Sequence, residues 1–301
     1  MNELYRKQVG LLIRILPSVY QIEDFALHGG TAINLFLNNL PRFSIDIDLT
    51  YIPIENRLSS MSKINNHLAR LKTIIEKTIP GIKIIHKVDV WKLICNHEGL
   101  TVKIEVNGIK RGLLGNTEDY FLCHIAQTIF NSSFKARIVS YTQLYGGKIS
   151  AALNRQHPRD LFDCQFMSED SLGKSKDGLI LSLLGSDKPI IESLKPNLIN
   201  QQSALENQFT GMTDKPFTYK DYTESRERLI MGVNNLFNTY DKDFIISFEN
   251  GEPKWEICCA GDLSIYPSVQ WKLENIRKLK TTNPNKFKAG LSKLEKHLSS
   301  R

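Results

Sequence analysis

Two aspartates, Asp46 and Asp48, stand one residue apart in the run FSIDIDLT, Phe43 to Thr50, among isoleucines and a leucine that favour burial. If the run is a β-strand, side chains alternate between faces. Ile45, Ile47 and Leu49 then enter a core, while Ser44, Asp46, Asp48 and Thr50 share the opposite face. Carboxylates side by side repel and raise one pKa unless a cation lies between them, so the pair demands full solvation or a partner. A divalent metal is the sharpest candidate; the plainer reading is an edge strand with one wet, acidic face. A third carboxylate is available from TVKIEVN, where Thr101, Lys103, Glu105 and Asn107 point away from Val102, Ile104 and Val106. Three convergent carboxylates can hold one or two hard divalent ions, which clamp phosphate oxygens during an in-line displacement. Otherwise Glu105 forms a surface pair with Lys103 or with a lysine across the strand.

The turn before the aspartates is His28-Gly29-Gly30-Thr31, at the junction of a strand-like and a helix-like piece. Glycines there let a ligand approach the backbone, whose exposed N–H groups favour an anion such as phosphate; a tight strand-to-helix turn is the plainer reading. Further on, TQLYGGKISAALNR places Lys148 inside an apolar arc of Leu144, Tyr145, Ile149, Ala152 and Leu153, so the cation must snorkel or meet an anion. Gly146 and Gly147 each cost a helix interior ~1 kcal/mol relative to alanine, which points to close backbone packing or a nearby ligand. In PRDLFDCQFM, Asp160 lies in the first helical turn and complements the dipole. Asp163 is surrounded by Phe162, Phe166 and Met167 on the helical wheel and needs a partner: Arg159 at i−4 in a plain salt bridge, or else Lys148 or a bound nucleotide that it positions.

Positioning these residues requires a mixed α+β scaffold. After an opening amphipathic helix, FALHGG reads as a strand into a turn and TAINLFLNN as a short helix. The aspartate strand follows, then a helical pattern from about Glu55 to Ile79, then three β-rich runs, KIIHKV, VWKLIC and TVKIEV, expected to pair antiparallel. From about Ser140 the pattern turns helical, with one long helix expected around Tyr222 to Tyr240 and two more in WKLENIRKLK and KFKAGLSKLEKHL. The expected division is residues 1–135, a core with a small mixed sheet flanked by helices, and residues 136–301, a mainly helical domain carrying Lys148, Asp163 and a basic end.

Hydrophobic residues at 41% and charged residues at 24% describe an ordinary globular chain rather than a disordered one. The formal net charge of +7 favours a polyanionic partner or a phosphorylated substrate. From Ser264 onward, nine Lys or Arg residues stand against Glu274 and Glu295, either as a platform for phosphate backbones or as a solvated face. Trp255 and Trp271 could stack on bases or pack in the core. Five cysteines without a CxxC pair argue against a disulfide framework or a zinc site and fit a reducing cytoplasm. The start of the chain lacks signal-peptide character, and no run approaches a membrane span.

HGGTAINLFL followed by RFSIDIDL, then KIEVN, then LYGGKISAALNRQHPRDLFD together resemble the AbiEii/AbiGii-type nucleotidyltransferase toxins, within the DNA polymerase β-like nucleotidyltransferase superfamily. The last string is the most specific of the four, and the resemblance covers about Phe25 to Phe166. It implies a polymerase β-like fold in which Gly29, Gly30, Thr31 and Ser44 form the triphosphate-binding turn and its flank. Asp46 and Asp48, with Glu105, become the acids that hold Mg²⁺ or Mn²⁺; Lys148 contacts nucleotide phosphate, and Asp163 is the final acidic motif. It further implies an NTP substrate, an RNA acceptor such as the tRNA 3′ end, a block of translation and an antitoxin encoded nearby. The gap from Gly30 to Asp46 is longer than the commonest superfamily spacing, and Glu105 replaces the more usual aspartate. Both departures leave substrate choice open. Transfer of AMP to a partner protein and a non-catalytic nucleotide or RNA sensor are the rival functions, with an Asp-x-Asp glycosyltransferase more distant.

Overall fold

Alternating burial in the first half of the chain resolves into a seven-stranded sheet in the computed structural model, which describes residues 2–299. The strands are β1 (Phe25–His28), β2 (Asp46–Tyr51), β3 (Lys83–Lys87), β4 (Lys92–His97), β5 (Leu100–Val106), β6 (Glu118–Phe121) and β7 (Lys135–Ile138). Their order across the sheet is β3-β4-β5-β2-β1-β7-β6, with β2/β5 and β1/β7 parallel and the other pairs antiparallel. The chain divides into two units, Met1–Ser140 with Glu206–Pro216, and Tyr141–Leu205 with Phe217–Arg301.

In the first unit, helix α1 (Glu3–Tyr20) starts where the Asn2 side chain accepts a hydrogen bond from the Leu4 N–H, and it buries Leu12, Leu16 and Val19. A short helix, α2 (Gly29–Ala32), runs straight into a π-helical turn over Ile33–Leu37. Helix α3 (Arg57–Thr78), capped by Asn56, buries Ile64, Leu68, Leu71 and Ile75, one apolar stripe at helical spacing. Helices α1 and α3 pack on β5 and on β3 and β4 respectively, over the face where Leu93, Cys95, Val102 and Ile104 are fully buried. The opposite face of β2 to β5 carries the half-buried and exposed residues, Asp46 and Asp48 among them. Helix α4 (His124–Phe130) lies between β6 and β7 in the chain. The segment 206–216 returns to close the loop before β2: the Phe43 N–H donates to the Met212 carbonyl at 2.7 Å, and the Thr213 hydroxyl to the Pro41 carbonyl at 2.8 Å.

The second unit is built of helices. Helix α5 (Tyr141–Arg155) and α6 (Pro158–Cys164) are followed by α7 (Glu169–Lys174) and α8 (Lys176–Leu184). The later helices include Tyr219–Leu236, Thr239–Glu249, Pro267–Thr282 and Pro284–Ser299. Close packing is what Gly146 in α5 serves, because a Cβ on it would overlap the backbone of Gly178 and Leu179, and one on Gly178 the Thr142 carbonyl. Gly146→Ala is therefore expected to force α5 and α8 apart and cost about 2 kcal/mol or more in urea unfolding. A loss under about 0.5 kcal/mol would show that the backbones do not meet.

A mixed sheet with helices and a helical second half is what the sequence pattern predicts, with three differences. Strands β6 and β7 carry no expected signal, and three of the four residues of β6 are exposed. The second β-rich run begins at Lys92, since Val88–Val90 forms a 3₁₀ turn and Trp91 reverses the chain at φ 49°, its ring lying over Gly108. The helix expected over Tyr222 to Tyr240 is two helices, split where Asn238 and Asp241 form a capping box that starts the second. No helix among the described residues is long and apolar enough to cross a membrane.

Candidate active site

The strand–turn–helix at Gly29 fixes the first cluster. Gly29 has φ +71°, a left-handed conformation that costs a side chain of L configuration roughly 1–2 kcal/mol. A Cβ there would also overlap the Asp48 carboxylate. Gly29→Ala thus combines backbone strain with displacement of Asp48, and we expect it to lower activity by about tenfold or more while costing roughly 1–2 kcal/mol of stability. Full activity in that variant would separate the turn from the carboxylates. At Gly30 a Cβ would meet Arg42 Nη2 at 2.8 Å and Ser44 Oγ at 2.9 Å, so a guanidinium and a hydroxyl close on the turn. The Thr31 and Ser44 hydroxyls are 3.0 Å apart, and that of Thr31 donates to the Asp46 carbonyl, tying the helix to the start of β2. The Asn34 amide holds the Gly30 carbonyl at 2.9 Å.

Strand register then brings acids together. Asp48 stands between His28 of β1 and Glu105 of β5, and Asp46 is paired with Lys103. Both aspartates are partly exposed, while Ile47 and Leu49 between and beyond them are buried, as alternation predicts; the strand begins only at Asp46, so Ile45 is half-buried and Ser44 buried, and Thr50 is buried as well. Two same-face carboxylates beside a turn that excludes even a methyl group suit a hard divalent ion, which takes one or two carboxylates and completes its shell from phosphate oxygens and water. The third expected ligand is held otherwise: Lys92 Nζ of β4 binds Glu105 Oε1 at 2.7 Å. Among the described residues no group of three His, Cys, Asp or Glu side chains is assembled for a metal, although register sets Glu105 beside Asp48. The cross-strand ion pair that was the other reading of Glu105 is what the register produces.

Arg42 is the member of this cluster that sequence reasoning misses. It is 2% exposed, and its Nη1 donates to the Phe43 carbonyl at 2.8 Å. The only trace in the sequence is an arginine between Pro41 and Phe43, where its neighbours seek the core.

A second cluster lies within the helical unit. Lys148, 7% exposed, binds Asp160 Oδ1 at 2.9 Å and Asp163 Oδ2 at 3.0 Å, and Arg155 binds the other oxygen of Asp160 at 2.8 Å. Of the partners the sequence offers Asp163, the structure shows Lys148. Asp160 does sit in the first turn of α6, but it is buried and shares the lysine, a role its position alone did not announce. The α5–α6 turn is pinned by Gln156, whose carbonyl accepts the Tyr222 hydroxyl at 2.8 Å and whose side-chain oxygen accepts Arg226 at 3.1 Å. Burial pushes the neighbouring Cys164 thiol up despite Lys148, which removes it as a nucleophile at neutral pH.

The basic end is partly spent inside the unit. Lys272 is 5% exposed and donates to the Leu183 and Lys188 carbonyls, Lys280 pairs with Glu252, and Arg277 donates to the Gly251 carbonyl. Trp255 packs on Phe244 and Phe248, while Trp271 is 44% exposed.

A family model described as nucleotidyl transferase AbiEii toxin, type IV TA system, matches residues 11–275. Among solved structures, MenT4, a nucleotidyltransferase toxin from Mycobacterium tuberculosis H37Rv, is similar in fold, with a TM-score of 0.59 over 89% of this chain and 91% of that one at 13% identity. No curated protein matches the chain.

Proposed function

Because the chain belongs to the AbiEii family of nucleotidyltransferase toxins of toxin–antitoxin systems, we propose that it transfers a nucleotidyl group from an NTP to the 3′ end of an RNA, tRNA in particular, and so blocks translation. The observation that carries this reading is the pair Asp46 and Asp48, solvent-reachable on one face of β2 beside the Gly29-Gly30 turn. A divalent cation, Mg²⁺ or Mn²⁺, bound by these two carboxylates would offset the charge that develops on the α-phosphate oxygens.

The remaining work falls to the chain. Gly29 and Gly30 let the Asp48 carboxylate, the Ser44 hydroxyl and the buried Arg42 guanidinium close on the turn, where the hydroxyls of Ser44 and Thr31 and the charge of Arg42 would meet a triphosphate. Lys148 is assigned to nucleotide phosphate by likeness to the family, with Asp160 and Asp163 fixing its ammonium. The acceptor hydroxyl oxygen attacks the α-phosphorus and its proton passes to solvent. The new P–O bond forms as the bond to the β-phosphate bridging oxygen breaks, and pyrophosphate leaves. Preorganised charge dominates chemistry of this kind.

Incubation with each labelled NTP, Mg²⁺, total RNA and cell lysate tests the proposal. Label is expected at RNA 3′ ends, with one pyrophosphate released per nucleotide added. Label in protein would replace the acceptor with a protein hydroxyl, and nucleotide binding without pyrophosphate release would leave a sensor.

A further inference from the structure

The aspartate face of the sheet does not end at β5. Strand register continues the row of Asp46 through Lys103 to Ile94 and Ile85, and the row of Asp48 through Glu105 to Lys92 and Lys87. Lys83 lies on the same face at the far edge. Lys83, Lys87 and Lys103 are exposed, and none forms an ion pair among the described residues. Ile85, 54% exposed, and the half-buried Ile94 supply apolar surface between them.

We propose that this open face of β3, β4 and β5 is where the acceptor RNA lies, its phosphates over Lys103, Lys87 and Lys83 and its bases against Ile94 and Ile85, with the 3′ end at Asp46 and Asp48. The proposal rests on the RNA acceptor put forward above and adds where that RNA binds. Three features favour it. The platform is continuous with the acidic pair, so a strand crossing it delivers its end to the site without a turn. Lysines at a sheet edge are also used to prevent edge-to-edge pairing, which accounts for Lys83 and Lys87 but not for Lys103, in the interior of the sheet. The span from β2 to β3 is three strand spacings, roughly 14 Å, enough for a short stretch of single strand.

RNA binding by the full chain, measured against salt concentration, tests this. For the triple variant Lys83→Ala, Lys87→Ala, Lys103→Ala, the slope of log K against log salt should fall by about 2, and affinity at 0.1 M salt by roughly tenfold to a hundredfold. The KM for NTP should stay within about twofold, since none of the three lysines belongs to the turn. Removing three charges from the last helix, with Lys286→Ala, Lys288→Ala and Lys293→Ala, is the control and should weaken binding less than threefold. Should the triple variant fail to fold, Lys103→Gln alone should lower the slope by about 0.7. An unchanged slope and affinity, or an equal loss in the control, overturns the platform even where the wild-type protein labels RNA. Wild-type protein that labels a protein and no RNA fails the acceptor reading itself.

Discussion

Asp46→Asn is expected to lower nucleotide transfer by about 10³-fold or more, on the scale set by losing one preorganised electrostatic group at a reacting phosphate. The fold should survive it. Asp46 is partly exposed on a strand whose buried side chains are its neighbours Ile47 and Leu49. Removing one of two like charges relieves the repulsion between them, and asparagine keeps an acceptor oxygen at the same place. Thermal unfolding should therefore move by no more than a few degrees, in either direction, while labelled product disappears in a single-turnover assay. Asp48→Asn should behave alike. Glu105→Gln should not: with Lys92 holding that carboxylate at 2.7 Å, its loss is expected to cost less than about tenfold. Equal losses in all three would mean that Glu105 leaves Lys92 to join the metal, as the sequence alone suggested. Transfer retained by Asp46→Asn would remove the proposed site altogether.

The contrast between Glu105 and the aspartates shows where sequence reasoning stops. Period-two alternation puts Glu105 on the same face as Asp46 and Asp48, and the structure agrees. Which neighbour it meets depends on the register between β4 and β5, which sets Lys92 opposite it, and no local pattern encodes that. Lys148 is the reverse case. A cation inside an apolar arc announces a buried partner, and only the identity of the partners, Asp160 as well as Asp163, needed the fold. Arg42 was hidden for a third reason: it lies in a loop, outside any helical or strand period, and its burial depends on a helix turn twelve residues earlier and a segment, 206–216, that returns from far along the chain. The split at Asn238 was legible in principle, because Asn238 and Asp241 have the spacing of a capping box. The strands β6 and β7 were not: each is four residues long, β6 shows no alternation, and the Lys-Ala-Arg-Ile alternation of β7 is too short to stand out.

Lys148→Met is expected to destabilise the protein by about 3–5 kcal/mol, the cost of breaking a buried ion pair by removing one partner. The size follows from what is left behind. The Asp163 side chain is 0% exposed and the Asp160 side chain 6%. Arg155 reaches Asp160 and can still neutralise it, so the loss falls chiefly on Asp163. A thermodynamic cycle in urea separates this from a catalytic role. Asp163→Asn keeps an acceptor for the ammonium and leaves Asp160 in place, and should cost about 1–3 kcal/mol. Lys148→Met combined with Asp163→Leu removes both charges, and should recover a large part of the single-variant loss, since a buried pair replaced by apolar groups of similar volume is often near neutral. If that double variant folds stably yet transfers no nucleotide, Lys148 and Asp163 act on the nucleotide as well as on each other. If it transfers at the wild-type rate, the cluster only joins α5 to α6, and the charge that binds the triphosphate must come from elsewhere, with Arg42 beside Gly30 as one source at the turn itself.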